Sequence, residues 1–147
     1  MASWIEFEKQ VPEHAAFGRE RFGSQVAYLV TIRPDGSPRV HPVTPIVGKE
    51  LFLFMEPTSP KGKDLQRDPR YTLHCSVKDM SGGDGEFFVS GRAERVNDPA
   101  IREQAVEAAP YSPEERYVLF RLNIQSAFMN TYTEGSPDPQ RWRASEP

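Results

Sequence analysis

The sequence predicts a mostly β protein with short helices, its strands antiparallel and wrapped into a small barrel. Three observations carry that prediction. The runs VAYLVTIR (26–33), LFLFME (51–56), YTLHCSVK (71–78) and EFFVSGRAERV (86–96) are rich in β-branched and aromatic residues, which suit a pleated, half-buried surface. Most links between these runs are short and turn-like, as antiparallel neighbours allow and parallel ones do not. A sheet of so few strands with apolar residues on both faces tends to close on itself.

Each element has its own local reason. In the first twenty-odd residues Trp4, Ile5, Phe7, Val11, Ala15, Phe17 and Phe22 recur at a loose helical spacing broken at Pro12, so two short helices are expected. The first strand follows from Val26, and Pro34-Asp35-Gly36-Ser37 then supplies a hairpin turn, with Pro presetting the first turn position and Gly tolerating positive φ. Pro38, Pro42 and Pro45 each lack a backbone donor, which puts the next segment, PRVHPVTPIV (38–47), at an edge or a bulge. Gly48-Lys49-Glu50 turns the chain into LFLFME. Ser59 and Pro60 then open a helix that Asp68-Pro69 must stop, leaving about Pro60 to Arg67. YTLHCSVK is the next strand, DMSGGDG a loop and EFFVSGRAERV another strand. Asp98 and Pro99 begin a helix that ends by Pro110, with Ile101, Ala105, Val106 and Ala109 as its apolar stripe. YSPEERY (111–117) reads as a short helical turn. VLFRLNIQ and SAFMNTYT (118–133) form one long or bent strand, and a Pro-rich loop, EGSPDPQ, leads to RWR (141–143).

Composition narrows the function classes. At 147 residues the chain reads as one domain, with helices over 1–23 and a barrel over 24–143. A net charge of −3 with dispersed Lys and Arg argues against a nucleic-acid protein. The single cysteine, Cys75, forbids an internal disulfide or a cysteine-based zinc cluster, and no apolar run suggests a signal peptide or a membrane span, so a cytoplasmic protein is expected. His74 and Cys75 are adjacent on a strand and face opposite ways, which rules out a local Cys–His pair. GGDG (82–85) lacks the lysine and strand–loop–helix setting of a phosphate-binding P-loop. His14, His41 and His74 are scattered and form no close metal-ligand pair.

The informative conflict lies in MEPTSPKGKDLQRDPRY (55–71). Lys61 and Lys63 crowd the first turn of the expected helix, where the dipole disfavours cations by roughly 0.3–1 kcal/mol each. Ser59 is a favoured N-cap residue, and the orphan backbone N–H groups of the first turn, the Ser59 hydroxyl, Thr58 and two ammonium groups together make an anion site. The plainer reading is a solvated surface helix. His41, on the proline-interrupted segment, either faces a ligand or is an ordinary strand histidine. Trp142, between Arg141 and Arg143, either stacks on an aromatic ligand or docks a terminal strand.

Four stretches in order, VAYLVTIRPDGSPRVHPVTPI (26–46), LFLFMEPTSPKGKDLQRDPRYTLHCSV (51–77) and, more loosely, EFFVSGRAERV and RWR, resemble the pyridoxamine 5′-phosphate oxidase-like superfamily of flavin mononucleotide (FMN)-binding split barrels. The resemblance implies a six-stranded antiparallel split β-barrel that forms a homodimer with FMN between subunits. It implies that Ser59 and Lys61 hold the flavin phosphate with Thr58 and Lys63 as helpers. His41, Pro42, Val43 and Thr44, and Phe54, Met55 and Glu56, would run along the isoalloxazine ring, and Arg141 and Trp142 would reach the partner's cofactor. The implied activity is FMN-mediated oxidoreduction of a small organic substrate. The oxidase that names the superfamily is longer and carries substrate-phosphate residues with no counterpart here, so vitamin B6 oxidation is not expected. Two alternatives stand: a deazaflavin (factor 420)-dependent reductase, and a non-catalytic barrel holding a flavin, or a haem on His41 or His74.

Overall fold

The structure, a computed structural model, describes residues 1–145. Helices α1 (Trp4–Gln10) and α2 (Pro12–Ser24) form the expected N-terminal pair. A capping box between Ser3 and Glu6 starts α1, and Pro12 occupies the first turn of α2. Trp4, Phe7 and Phe22 from these helices meet Phe87 in an aromatic cluster with ring centroids 5.1–6.4 Å apart.

Strands β1 (Ala27–Ile32) and β2 (Pro38–Val43) make the predicted hairpin, closed by the Arg33 N–H donating to Ser37 O at 2.8 Å. After them come β3 (Ile46–Val47), β4 (Leu51–Met55), α3 (Pro60–Arg67), β5 (Arg70–Cys75), β6 (Glu86–Val96), α4 (Pro99–Ala108), β7 (Val118–Thr133) and β8 (Ser136–Arg143). All pairings are antiparallel, in the order β2-β1-β5-β6-β7-β4-β3, with β8 also paired to β7. The order has two ends, β2 and β3, so the barrel is split rather than closed. β2 lies at one end, as its prolines demand.

The described strands number eight where six were expected. One addition, β3, is only two residues long. The other, β8, replaces the expected Pro-rich loop: Glu134 (φ 52°) and Gly135 (φ 81°) form a two-residue hairpin turn, and residues 136–143 pair with 126–133. Pro137 and Pro139 are tolerated because β8 has a neighbour on one side only. YSPEERY also differs from expectation, forming a bend at Tyr111 and a turn at Glu115-Arg116 in place of a helical turn. The α4 stripe is narrower than predicted, since Val106 is 41% exposed while Ala105 is fully buried against Ile46, Phe52, Phe54 and Leu119.

β6 and β7 change register between Ser90 and Gly91. A Cβ at Gly91 would lie 1.9 Å from Asn123 O, so this crossing requires glycine.

Candidate functional site

Helix α3 has the predicted bounds, and Asp68 ends it through an N–H donated to Asp64 O. One detail departs from expectation. Ser59 occupies the N-cap position, yet its hydroxyl accepts the Lys61 ammonium at 3.1 Å in place of a backbone N–H, and α3 has no side-chain cap. Ser59 is buried and Lys61 half-buried, and that burial holds the Lys61 ammonium below its usual pKa. Lys61 forms no ion pair among the described residues.

Two depressions meet at Lys61. The larger, about 480 Å³, is lined by Pro42, Val43 and Thr44, by Phe54, Met55 and Glu56, and by Tyr111 and Tyr117 as well as Lys61. The smaller, about 250 Å³, is lined by Arg33, Arg39, Val40, His41, Ser59 and Pro60 as well as Lys61. Three cationic side chains thus converge beside an uncapped helix start, a setting for a doubly charged anion. His41 sits there exposed, its imidazole held below the ordinary value by burial first and then by Lys61 and Arg39.

The site residues expected from sequence divide clearly. Ser59, Lys61 and His41 come together in the smaller depression. Pro42, Val43, Thr44, Phe54, Met55 and Glu56 come together in the larger. Thr58 and Lys63 are exposed and line neither. Trp142 is buried within this chain, with its ring 4.9 Å from Phe7 and its indole N–H donating to Gln10 Oε1, so it lies outside this chain's cleft. Arg141 lies over the Phe128 ring at 4.8 Å, on the outer face of the sheet.

Arg33, Arg39, Tyr111 and Tyr117 were not singled out from the sequence. A signal for Arg39 existed, because it is two residues from His41 on one strand and shares its face. Glu56 is a poor base, since Arg116 takes both its oxygens at 2.6–3.1 Å and lowers its pKa. His74 is engaged at both ring nitrogens, by Cys75 O and Glu86. Cys75 is buried, and burial raises its thiol pKa, so it is a packed residue and no nucleophile.

The family model of pyridoxamine 5′-phosphate oxidase matches residues 11–137. No curated protein matches the sequence. Among solved structures, a NimC/NimA family protein from Clostridium acetobutylicum is similar with a TM-score of 0.69 at 18% identity, over 95% of this chain and 94% of its own. General Stress Protein 26 from Bacillus anthracis gives 0.66 at 16% identity, over 90% and 98%. HutZ, the haem storage protein from Vibrio cholerae, gives 0.58 at 17% identity, over 78% and 89%. Identities this low establish a shared fold only. No helix among the described residues is long and apolar enough to cross a membrane.

Proposed function

The chain belongs to the pyridoxamine 5′-phosphate oxidase family, and on that premise we propose that it binds FMN and acts as an FMN-dependent oxidoreductase on a small organic substrate. The observation that carries this reading is the meeting of two depressions at Lys61, one cationic and one larger and lined by strand residues and two tyrosines. Lys61, Arg33, Arg39 and the free N–H groups at the start of α3 suit a phosphate dianion. Because Ser59 already accepts from Lys61, its own hydroxyl hydrogen remains to donate. The extended segments 42–44 and 54–56 suit a planar ring, whose orientation they would fix. Bound FMN would supply the redox chemistry, and the protein anchoring, orientation and exclusion of water. The engagement of Glu56 by Arg116 fits a site that needs no protein base.

The assembly proposed with this reading is a homodimer. Pro42, Tyr28, His74, Phe88, Phe128 and Arg141 are direct cross-strand partners in turn, forming one ladder across five junctions. His74 stacks on Phe88 at 5.7 Å, and Phe88 meets Phe128 at 5.2 Å. The ladder puts Arg141 at the end opposite the cleft residue Pro42. A two-fold whose axis runs across the middle of this ladder would set each Arg141 beside the partner's cleft, the placement that the expected role of Arg141 needs.

Lys61→Ala tests the reading. Losing a charge-assisted contact should weaken FMN about ten- to hundredfold, and unchanged affinity would remove Lys61 from the site. Tighter binding of deazaflavin than of FMN would favour the deazaflavin reductase. A haem-binding barrel is the second reading, favoured by His41, which has no hydrogen-bond partner among the described residues and borders cations that suit propionates. The visible spectrum of the purified protein separates flavin from haem.

A further inference from the structure

Asp64 lies at the centre of α3 and is 2% exposed. Its Oδ2 accepts from Thr31 Oγ1 at 2.8 Å and from Arg39 Nε at 2.7 Å, and its Oδ1 accepts from Arg67 at 3.3 Å. One carboxylate therefore ties α3 to β1 and β2. Burial alone would raise its pKa, but the bonds from Arg39, Thr31 and Arg67 outweigh this and leave it lowered, so the group is an anion.

A fixed negative charge beside a depression lined by Arg33, Arg39 and Lys61 opposes the binding of another anion. Charge alone therefore gives no reason for it, whereas geometry does. Asp64 engages Arg39 only through Nε, and the two terminal nitrogens of that guanidinium make no hydrogen bond to protein among the described residues. Arg39 lines the smaller depression, so an otherwise mobile side chain is held with the donors of both terminal nitrogens unspent.

We propose that Asp64 is the positioning residue of this depression: by gripping Arg39 at Nε it presents the terminal nitrogens to a phosphoryl dianion, and so sets the preference for a phosphorylated ligand over its unphosphorylated form. The proposal rests on the flavin reading only for its first pair of probes, FMN and riboflavin.

Both flavins are titrated by fluorescence quenching into wild type, Asp64→Asn, Arg39→Lys and the double variant, with folding checked by circular dichroism. Asp64→Asn should lose about tenfold in FMN affinity and leave riboflavin unchanged. Arg39→Lys should match it, and the double variant should be no worse than either, because both changes remove one arrangement. Asp64→Glu keeps the charge but moves the carboxylate by one methylene; it should show the same FMN-selective loss and replaces Asp64→Asn if that variant fails to fold. Equal losses for both flavins, additive losses in the double variant, or FMN binding unchanged or tighter would each overturn the proposal. Wild type that binds both flavins equally would overturn the proposal, since no preference would be left for Asp64 to set, whereas wild type that binds neither would overturn the flavin reading alone. Inorganic phosphate, followed by phosphorus NMR line broadening, then decides: binding that weakens about tenfold in Asp64→Asn supports the role of Asp64, and no binding, or no change, overturns it.

Discussion

Gly18→Ala sets two rules against each other. Gly18 lies inside α2, where alanine is favoured over glycine by about 1 kcal/mol. A Cβ at this position, however, would lie 2.3, 2.5 and 2.7 Å from three carbons of the Phe87 ring. The ring would have to retreat by about 1 Å to reach ordinary contact. It has little room, because Phe22 (5.1 Å), His14 (5.7 Å) and Trp4 (6.1 Å) surround it and Phe87 is fully buried. Overpacking of this kind costs about 1–3 kcal/mol in a dense core, and a clash with a caged ring belongs at the upper end. The net expectation is a loss of about 1–2 kcal/mol after the helical gain, a fall in Tm of about 2–8 °C for a chain of this size. Urea unfolding gives the free energy, and Gly18→Ala/Phe87→Leu should lose less than the two single changes combined. A Gly18→Ala protein as stable as wild type would refute the close-packing argument for α2 against β6.

Two histidines give predictions of opposite kinds. His14 is buried against Phe7 and Phe87 with Nε2 unpartnered, and burial lowers its pKa. The unfolded chain takes up a proton near pH 6.5 while the fold resists it, so stability should fall as pH drops below about 6.5 and level off below the folded pKa. The urea midpoint measured between pH 7 and 5 should fall less in His14→Leu, and an equal fall would remove His14 as the cause. His41 is depressed by burial and by cations that a bound phosphate would offset. FMN binding should therefore raise its pKa and take up protons, so that affinity rises as pH falls from about 7 toward 6. The slope should be shallower in His41→Gln, which controls for protonation of the phosphate itself; identical slopes would place His41 outside the anion's reach.

Legibility in the sequence followed how local each cause was. The bounds of α3 were readable because Ser59-Pro60 and Asp68-Pro69 act on their immediate neighbours. β2 was readable as an edge for the same reason, through the missing donors of Pro38 and Pro42. The identical argument applied to Pro137 and Pro139, yet β8 read as loop, because its pairing depends on a free edge of β7 that only the assembled sheet creates. The site divides the same way. Lys61 stood out because it broke a local rule, whereas Arg39 broke none, and its ties to Asp64 span 25 residues of sequence.

The lysine that first looked misplaced is explained by the same distinction. An acid in the first turn of α3 would have answered the helix dipole, and α3 has none. The helix does carry an acid one turn on, but Asp64 is already occupied by Arg39, Arg67 and Thr31. Lys61 is thus left half-buried, with a serine hydroxyl as its partner and no carboxylate within ion-pair distance among the described residues. A buried ammonium without a counter-ion is costly, and local sequence offered several positions at which an acid would have removed the cost. The arrangement is self-consistent when the missing negative charge comes from a ligand, which is why the unpaired state of Lys61, more than its presence, argues for an anion at this helix start.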